Sequence, residues 1–374
     1  MRFIISRNNL MNALNIVSKA VTNKTPIAVL TGIKFDLTDE GLTLIGSDTD
    51  LSISTFIKLD ESNEKNMTVF ETGSCVLNAK YITEIIRKLD GERVEIELVD
   101  GNLVKIVDQK SNFSLNSINV NEYPFIDFSF DNNTIKLKGD VLKQVISQTK
   151  FATSQKETRP ILTGVNFKVD GNILEAVATD TYRLAKKKII IGDTAYFNVT
   201  IPAKNLDEVY KIVDGGEDVV VDFFDKKVMF KVNNTIISTR VISGVYPDTS
   251  KLIPLSFENK LSTLTNEFLS AIDRASLLSS DRNNIVKLSM NSEKVEISSR
   301  SQEIGSVVEK ISNYNYEGGK LDISFSAQYI TDAIKAIGSN DIDICLNGEM
   351  KPFVLKNKED DTIIQLVLPV RTYQ

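Results

Sequence analysis

The chain has 374 residues, 42% hydrophobic and 25% charged, with 44 Lys and Arg against 50 Asp and Glu and no histidine. This is globular composition with length for more than one core, and no apolar run reaches the roughly 18 residues that a membrane helix needs. The missing histidine removes the commonest general base and transition-metal ligand and every Ser-His or Cys-His pairing, and neither GxGxxG nor GxxxxGK occurs.

Taken in order, the chain opens with Met1-Arg2-Phe3-Ile4-Ile5-Ser6, which has no secretory apolar region, so a cytoplasmic protein is expected. Asn8 or Asn9 is placed to cap a helix whose apolar face holds Leu10, Ala13, Leu14, Val17 and Val21. Strands are expected at Ile33 to Leu37 and Leu42 to Ile45 around Asp39-Glu40-Gly41, and at Val94 to Val99 and Leu103 to Val107 around Asp100-Gly101. The segment closes at Tyr123-Pro124. From Ile135 the plan starts again: a helix with Val141, Leu142, Val145 and Ile146, then Leu162-Thr163-Gly164 answering Leu30-Thr31-Gly32, a turn at Asp170-Gly171, and Tyr246-Pro247 at the close. A third pass has a helix near Glu267 to Leu278 and ends in the apolar run Ile363 to Val370. Cys75 and Cys345 form no CxxC and are read as buried free thiols; no metal or cofactor is expected.

The recurrence has a measurable period. Ala79, Ala203 and Ala327 lie 124 residues apart, and each opens the same amphipathic pattern, ended by Leu89-Asp90-Gly91, Val213-Asp214-Gly215 and Ile337-Gly338-Ser339. The expected architecture is α+β: three repeated domains, 1–125, 126–250 and 251–374, each with its own core and two helices on antiparallel sheets. Domains joined in a row leave sheet edges at both ends, and head-to-tail pairing between two chains closes a ring.

The copies also differ. Asp48-Thr49-Asp50 resembles the start of a calcium loop, but Ile53 stands where the turn glycine belongs and Asp180-Thr181-Tyr182 repeats its first residues, so a shared turn is the better reading. After that turn the second copy has Tyr182-Arg183-Leu184, residue types that anchor partner peptides, or alternatively core residues beside a solvated arginine. In the six expected helices ten basic side chains face six acidic ones, within a chain of net charge −6. That segregation suits loose contact with a polyanion, or simply a solvated face. A carboxylate hydrolase built on Asp360 and Asp361 or Glu349 is the enzymatic alternative, and an acidic turn the simpler one.

Arg159 with Leu162-Thr163-Gly164, the run Val177-Ala178-Thr179-Asp180-Thr181-Tyr182-Arg183-Leu184-Ala185, Tyr246-Pro247-Asp248, Leu368-Pro369-Val370-Arg371 and the threefold repeat together resemble the bacterial DNA polymerase III beta subunit, the sliding-clamp family, over the full length. The resemblance implies a non-enzymatic processivity factor: a homodimeric head-to-tail ring, helices inside and sheets outside, that encircles duplex DNA without reading its sequence. It implies as partners the replicative DNA polymerase, the clamp loader and other replication and repair proteins, which dock short apolar peptides in a cleft between the second and third domains. Carried over by motif, that cleft comprises Leu162, Thr179, Thr181, Tyr182, Arg183, Leu184, Pro247, Leu252, Val367, Leu368, Pro369, Val370 and Arg371. Leu162, Leu184 and Leu368 form its apolar walls, with Arg183 as a donor to peptide carbonyls or carboxylates. Lys24, Lys80, Arg159 and Lys204 fall where the family places DNA contacts, and Lys251 lies near the cleft edge. Thr181-Tyr182 stands in place of a Gly-His pair, and Asn283 in place of an aromatic found in some members.

Overall fold

A computed structural model describes residues 1–61, 64–131, 134–279 and 284–371; Asn283 lies outside them. Its helices are α1 (Arg7–Val17), α2 (Ala79–Lys88), α3 (Gly139–Thr149), α4 (Ala203–Ile212), α5 (Thr265–Ser276) and α6 (Ala327–Ile337). α2, α4 and α6 therefore start at the three alanines whose spacing defines the repeat. Leu10, Ala13, Leu14 and Val17 form the buried face of α1 as their spacing predicts, but the cap is Ser6, whose hydroxyl accepts the Asn9 N–H at 3.5 Å, not Asn8 or Asn9. Val21 lies beyond the helix, after a 3₁₀ turn at Ser18–Ala20. Asn78 caps α2 in the same way, accepting from the Tyr81 N–H, and α6 ends on Gly338 at φ 69°, the left-handed stop that glycine adopts at least cost.

The strand pairings are antiparallel throughout the described residues, and one of the two Asp-Gly turns falls where expected: Asp100 and Gly101 take φ 50° and 81° between Arg93–Val99 and Leu103–Val107. The turn expected at Asp170-Gly171 is absent: both flanking segments continue as one strand, because each half pairs with a different half of Arg183–Pro202 and the glycine absorbs the shift between them. Residues 164–171 pair with 195–202, the ladder steps at Gly171 (φ 67°), and 173–179 pair with 184–190. Those two halves correspond to Gly32–Thr38 and Gly41–Ser47 of the first copy, which pair with Gly73–Asn78 and Leu51–Lys58.

The chain divides into two compact units, Met1–Asp140 with Asp207–Val241 and Val141–Leu206 with Ile242–Gln374, so the second repeat is split between them, where the sequence led us to expect three separate cores. The reason lies in the sheets. In the first unit Thr235–Arg240, from the second repeat, pairs with Leu51–Lys58 from the first, and the Thr55 and Thr235 hydroxyls meet at 2.8 Å inside an eight-stranded sheet. In the second unit Arg183–Pro202 pairs with Ile363–Val367 inside a seven-stranded sheet. One edge of the first unit's five-stranded sheet is Asn112–Asn116, and one edge of the second unit's four-stranded sheet is Gly305–Lys310. One core of the second unit packs α5 and α6 on these sheets through Phe268, Ile272, Leu288, Ile334 and the ring pair Phe325–Phe353, centroids 5.5 Å apart. No helix among the described residues is long and apolar enough to cross a membrane.

Gly139 opens α3 against the end of the α4 segment: its N–H donates to the Glu217 carbonyl at 2.7 Å, and a Cβ there would stand 2.1 Å from the Asp214 carbonyl oxygen. Gly139→Ala is expected to cost about 2–3 kcal/mol by overpacking. Gly215→Ala, whose Cβ would meet only ordinary contacts at 3.7 Å, should be close to neutral. Urea midpoints for the two variants check this, and equal midpoints would refute it.

Candidate functional site

The site begins at the turn that joins Gly164–Thr179 to Arg183–Pro202. The Asp180 carboxylate accepts the N–H groups of Tyr182 at 2.9 Å and Arg183 at 3.0 Å through one oxygen, while Thr179 Oγ1 accepts the Thr181 N–H at 3.1 Å and donates to the Arg183 carbonyl at 2.7 Å. These bonds hold Thr181 at φ 79°, a conformation that a β-branched residue rarely adopts. Asp48 makes the same turn in the first copy, accepting from Asp50 and Leu51 at 3.0 and 2.7 Å with Thr49 at φ 81°. The Asp48 carboxylate thus serves the backbone, as the shared-turn reading expects.

Arg183 is the best-anchored side chain of the turn. Only 11% exposed, it donates from Nε to Asp180 Oδ2 at 3.0 Å, from one terminal nitrogen to Asp332 Oδ2 of α6 at 2.7 Å, and from the other to the Phe151 carbonyl at 2.6 Å. Its guanidinium also lies over the Tyr329 and Phe151 rings, 4.5 and 5.3 Å from their centroids. Three of its five N–H donors are engaged inside the protein, so its main work is to tie the turn to α6 and to the end of the α3 segment. Tyr182 is left pointing out, 60% exposed, and its carbonyl accepts the Leu368 N–H at 2.9 Å; two residues on, the Val370 N–H donates to the Ser324 carbonyl at 2.7 Å.

Beside this turn lies an apolar cluster. Val177, Leu184, Val354 and Leu366 are buried in it, and Tyr246, Ile253, Phe257, Ile364 and Leu368 pack partly exposed against it. Of the residues singled out from sequence, Leu184 and Leu368 are thus brought together. Val367 is not: strand residues alternate faces, so Ile364, Leu366 and Leu368 reach the cluster while Ile363 and Val367 enter the core on the other side. Leu162 is buried in the 3₁₀ turn Pro160–Thr163, and Leu252 is half exposed in Ser250–Leu252; neither is among the cluster's side chains. Thr179 is buried under the turn, Thr181, Pro247 and Arg371 are exposed, and Pro369 and Val370 are half-buried. Tyr246 was legible only as half of a Tyr-Pro motif. Its hydroxyl oxygen accepts the Thr179 N–H at 3.0 Å, and burial raises its pKa, which keeps the phenol neutral. A recess of about 420 Å³ adjoins Phe257, but Lys260, Asp343 and Lys356 make its lining charged.

Of the carboxylates of the hydrolase reading, Asp360 is otherwise engaged. Lys187, almost fully buried, donates to Asp360 at 2.6 Å; burial would raise the Asp360 pKa, but Lys187 and Thr362 outweigh it and the carboxyl is held below its ordinary value. That is the opposite of what a general acid requires.

The basic residues are exposed in both units. Lys24 and Lys80 lie in the first, Arg159 and Lys204 in the second, where Lys251 is also exposed; Lys24, Lys80 and Arg159 take part in no ion pair among the described residues. With true helix ends the charge excess is smaller than expected. α1 to α6 carry nine basic and seven acidic side chains, because Lys19 and Lys150 fall in 3₁₀ turns while Arg7 and Asp140 enter helices.

Three family models match the chain in order: the DNA polymerase III beta subunit N-terminal domain over residues 1–127, its central domain over 136–248 and its C-terminal domain over 250–371. The chain is 43% identical to the beta sliding clamp of Bacillus subtilis and 42% identical to that of Staphylococcus aureus, with full coverage of both partners in each case. The crystal structure of the B. subtilis sliding clamp superposes with a TM-score of 0.97 at full coverage of both chains. That of the DNA polymerase III beta chain of Streptococcus pneumoniae does so at 0.95, with 32% identity over 99% of this chain and 100% of that one.

Removing the arginine leaves the carboxylates of Asp180 in the turn and Asp332 on α6 without their shared partner. Arg183→Ala is expected to destabilise the second unit by about 3 kcal/mol, whereas Tyr182→Ala at its exposed site should stay within about 0.5 kcal/mol. Thermal unfolding monitored by circular dichroism checks the difference; indistinguishable melting temperatures would show that Arg183 is not an anchor.

Proposed function

The chain belongs to the DNA polymerase III beta subunit family, the bacterial sliding clamps, and on that footing we propose how its residues carry out the family's task. It is a DNA polymerase processivity factor that encircles DNA. The repeats 1–125, 126–250 and 251–374 are the duplicated units. Two copies pair head to tail, Asn112–Asn116 of one with Gly305–Lys310 of the other, and close the ring. Each of these strands has a ladder partner on one side only among the described residues. That observation carries the dimer reading, because pairing one such edge with a different edge on a second copy generates either a ring or a filament.

Inside the ring Lys24, Lys80, Arg159 and Lys204 touch the phosphate backbone. With a net charge of −6 and nearly balanced helices, the protein holds DNA by enclosure and not by affinity. It has no catalytic step; its location is the cytoplasm, where its DNA is. The replicative polymerase, the clamp loader and other replication and repair proteins dock short apolar peptides on the cluster beside the Asp180 turn. Leu184 and Leu368 form the walls, Tyr182 and Leu252 the exposed rim, and Thr179, Thr181, Arg183, Pro247, Pro369, Val370 and Arg371 frame it, while Leu162 and Val367, buried outside the cluster, give no contact surface of their own. A buried apolar floor with half-exposed aromatic and leucine edges is the surface on which such peptides find their anchoring contacts.

In solution the mass should be near twice 41.7 kDa. On nicked circular DNA, loaded protein should survive a high-salt wash and be lost once the circle is cut; retention on the linear form would identify an affinity binder instead. Replacement of Leu184 by Ala or deletion of the tail from Leu368 should lower polymerase-peptide affinity at least tenfold while leaving the dimer mass unchanged, with fluorescence anisotropy and light scattering as readouts. Undiminished affinity in both variants would move the docking site elsewhere.

A further inference from the structure

The two units carry the same scaffold at the same place, yet only one of them presents an apolar row. In the second unit Thr179 opposes Leu184, Leu184 opposes Leu366 and Leu366 opposes Val354 across four successive strands. In the first unit the identical registers join Ser47 to Ser52, Ser52 to Ser238 and Ser238 to Met229. The residue two positions further keeps the correspondence. The Leu368 N–H donates to the Tyr182 carbonyl of one turn, and the Arg240 N–H donates to the Asp50 carbonyl of the other, both at 2.9 Å. Backbone for backbone, Leu184, Leu366 and Leu368 are therefore Ser52, Ser238 and Arg240.

We propose that these three replacements confine apolar-peptide docking to the second unit, so that one chain takes one peptide although its duplicated fold offers two seats. This rests on the reading of the Leu184 cluster as the peptide cleft. The physical ground is desolvation. Ser52 and Ser238 are buried, and the Ser47 and Ser52 hydroxyls already satisfy each other at 2.8 Å; an apolar side chain laid over this row would strip the remaining hydroxyl contacts of water and return none. Arg240, exposed where Leu368 packs inward, adds a guanidinium that an apolar peptide cannot satisfy. The apolar residues of this region, Val29, Leu30, Val76 and Tyr123, are covered instead by Ile118, Val120 and Ile126 of the same unit.

The test is stoichiometry. Full-length protein is titrated calorimetrically with a synthetic decapeptide carrying two leucines and a phenylalanine. The native chain should bind one peptide. Ser52→Leu with Ser238→Leu and Arg240→Leu should bind two, the second within about 30-fold of the first. Because two buried leucines put folding at risk, Ser52→Ala with Ser238→Ala and Arg240→Leu, which adds no buried volume, is measured alongside and should show a second, weaker site. Leu184→Ser with Leu366→Ser serves as the control on the cleft and should lose its single site. If that control still binds one peptide, the cleft assignment fails and takes the proposal with it. If it loses binding and the first-unit variants still bind only one, the proposal alone is overturned.

Discussion

Everything in this molecule depends on strands finding partners outside their own repeat. Thr235–Arg240 completes a sheet begun by Leu51–Lys58, and Ile363–Val367 completes one begun by Arg183–Pro202. Each junction buries a ladder of backbone hydrogen bonds instead of leaving two open edges, and this is why the second repeat is divided between two compact units. The same rule followed to the outer strands leaves Asn112–Asn116 and Gly305–Lys310 among the sheet edges at which a further chain can continue the pattern.

A second constraint works at shorter range. The turn built on Asp48 and again on Asp180 forces a threonine to positive φ by satisfying the backbone N–H groups around it, and in both units the carbonyl of the residue after that threonine, Asp50 or Tyr182, accepts an N–H from the end of the crossing strand, Arg240 or Leu368. Such a turn is a rigid platform whose exposed residue is free to vary. Asp50 in the first unit and Tyr182 in the second show that variation. The arginine that follows Tyr182 secures the platform from below, through Asp332 and Phe151, which lie far from it in sequence.

Much of this was legible before the structure. The 124-residue period placed α2, α4 and α6 to the residue because Ala79, Ala203 and Ala327 each open an amphipathic pattern after an extended segment. Asp100-Gly101 located a turn because few other residues reach the φ it needs, whereas at Asp170-Gly171 the strand runs on and the glycine serves an irregularity in the ladder. What escaped was of two kinds. Local competition moved the α1 cap to Ser6, since any hydroxyl or amide three residues before a free N–H qualifies. Long-range pairing was invisible: nothing near Thr235 announces Leu51, and nothing near Arg183 announces Asp332. Val367 illustrates the boundary between the two, because strand alternation separates it from Leu366 and Leu368, a rule available from sequence once the strand's phase is known.

The charge pattern and the strand edges belong to one argument. Nine basic and seven acidic side chains on six helices give little electrostatic grip, and α2 shows why: Arg87 and Lys88 both lean on Glu84. A protein that must move along DNA gains from that weakness, since each tight phosphate contact would have to break at every step. The burden of staying bound then passes from the protein–DNA surface to the closure between chains. Asn112-Phe113-Ser114-Leu115-Asn116 carries no charge and no proline, the devices that protect a solitary edge from unwanted partners. An edge left so open in a protein with so little hold on its substrate is intelligible if that edge is normally paired, and if its pairing, more than any contact with the nucleic acid, sets how long the ring stays on.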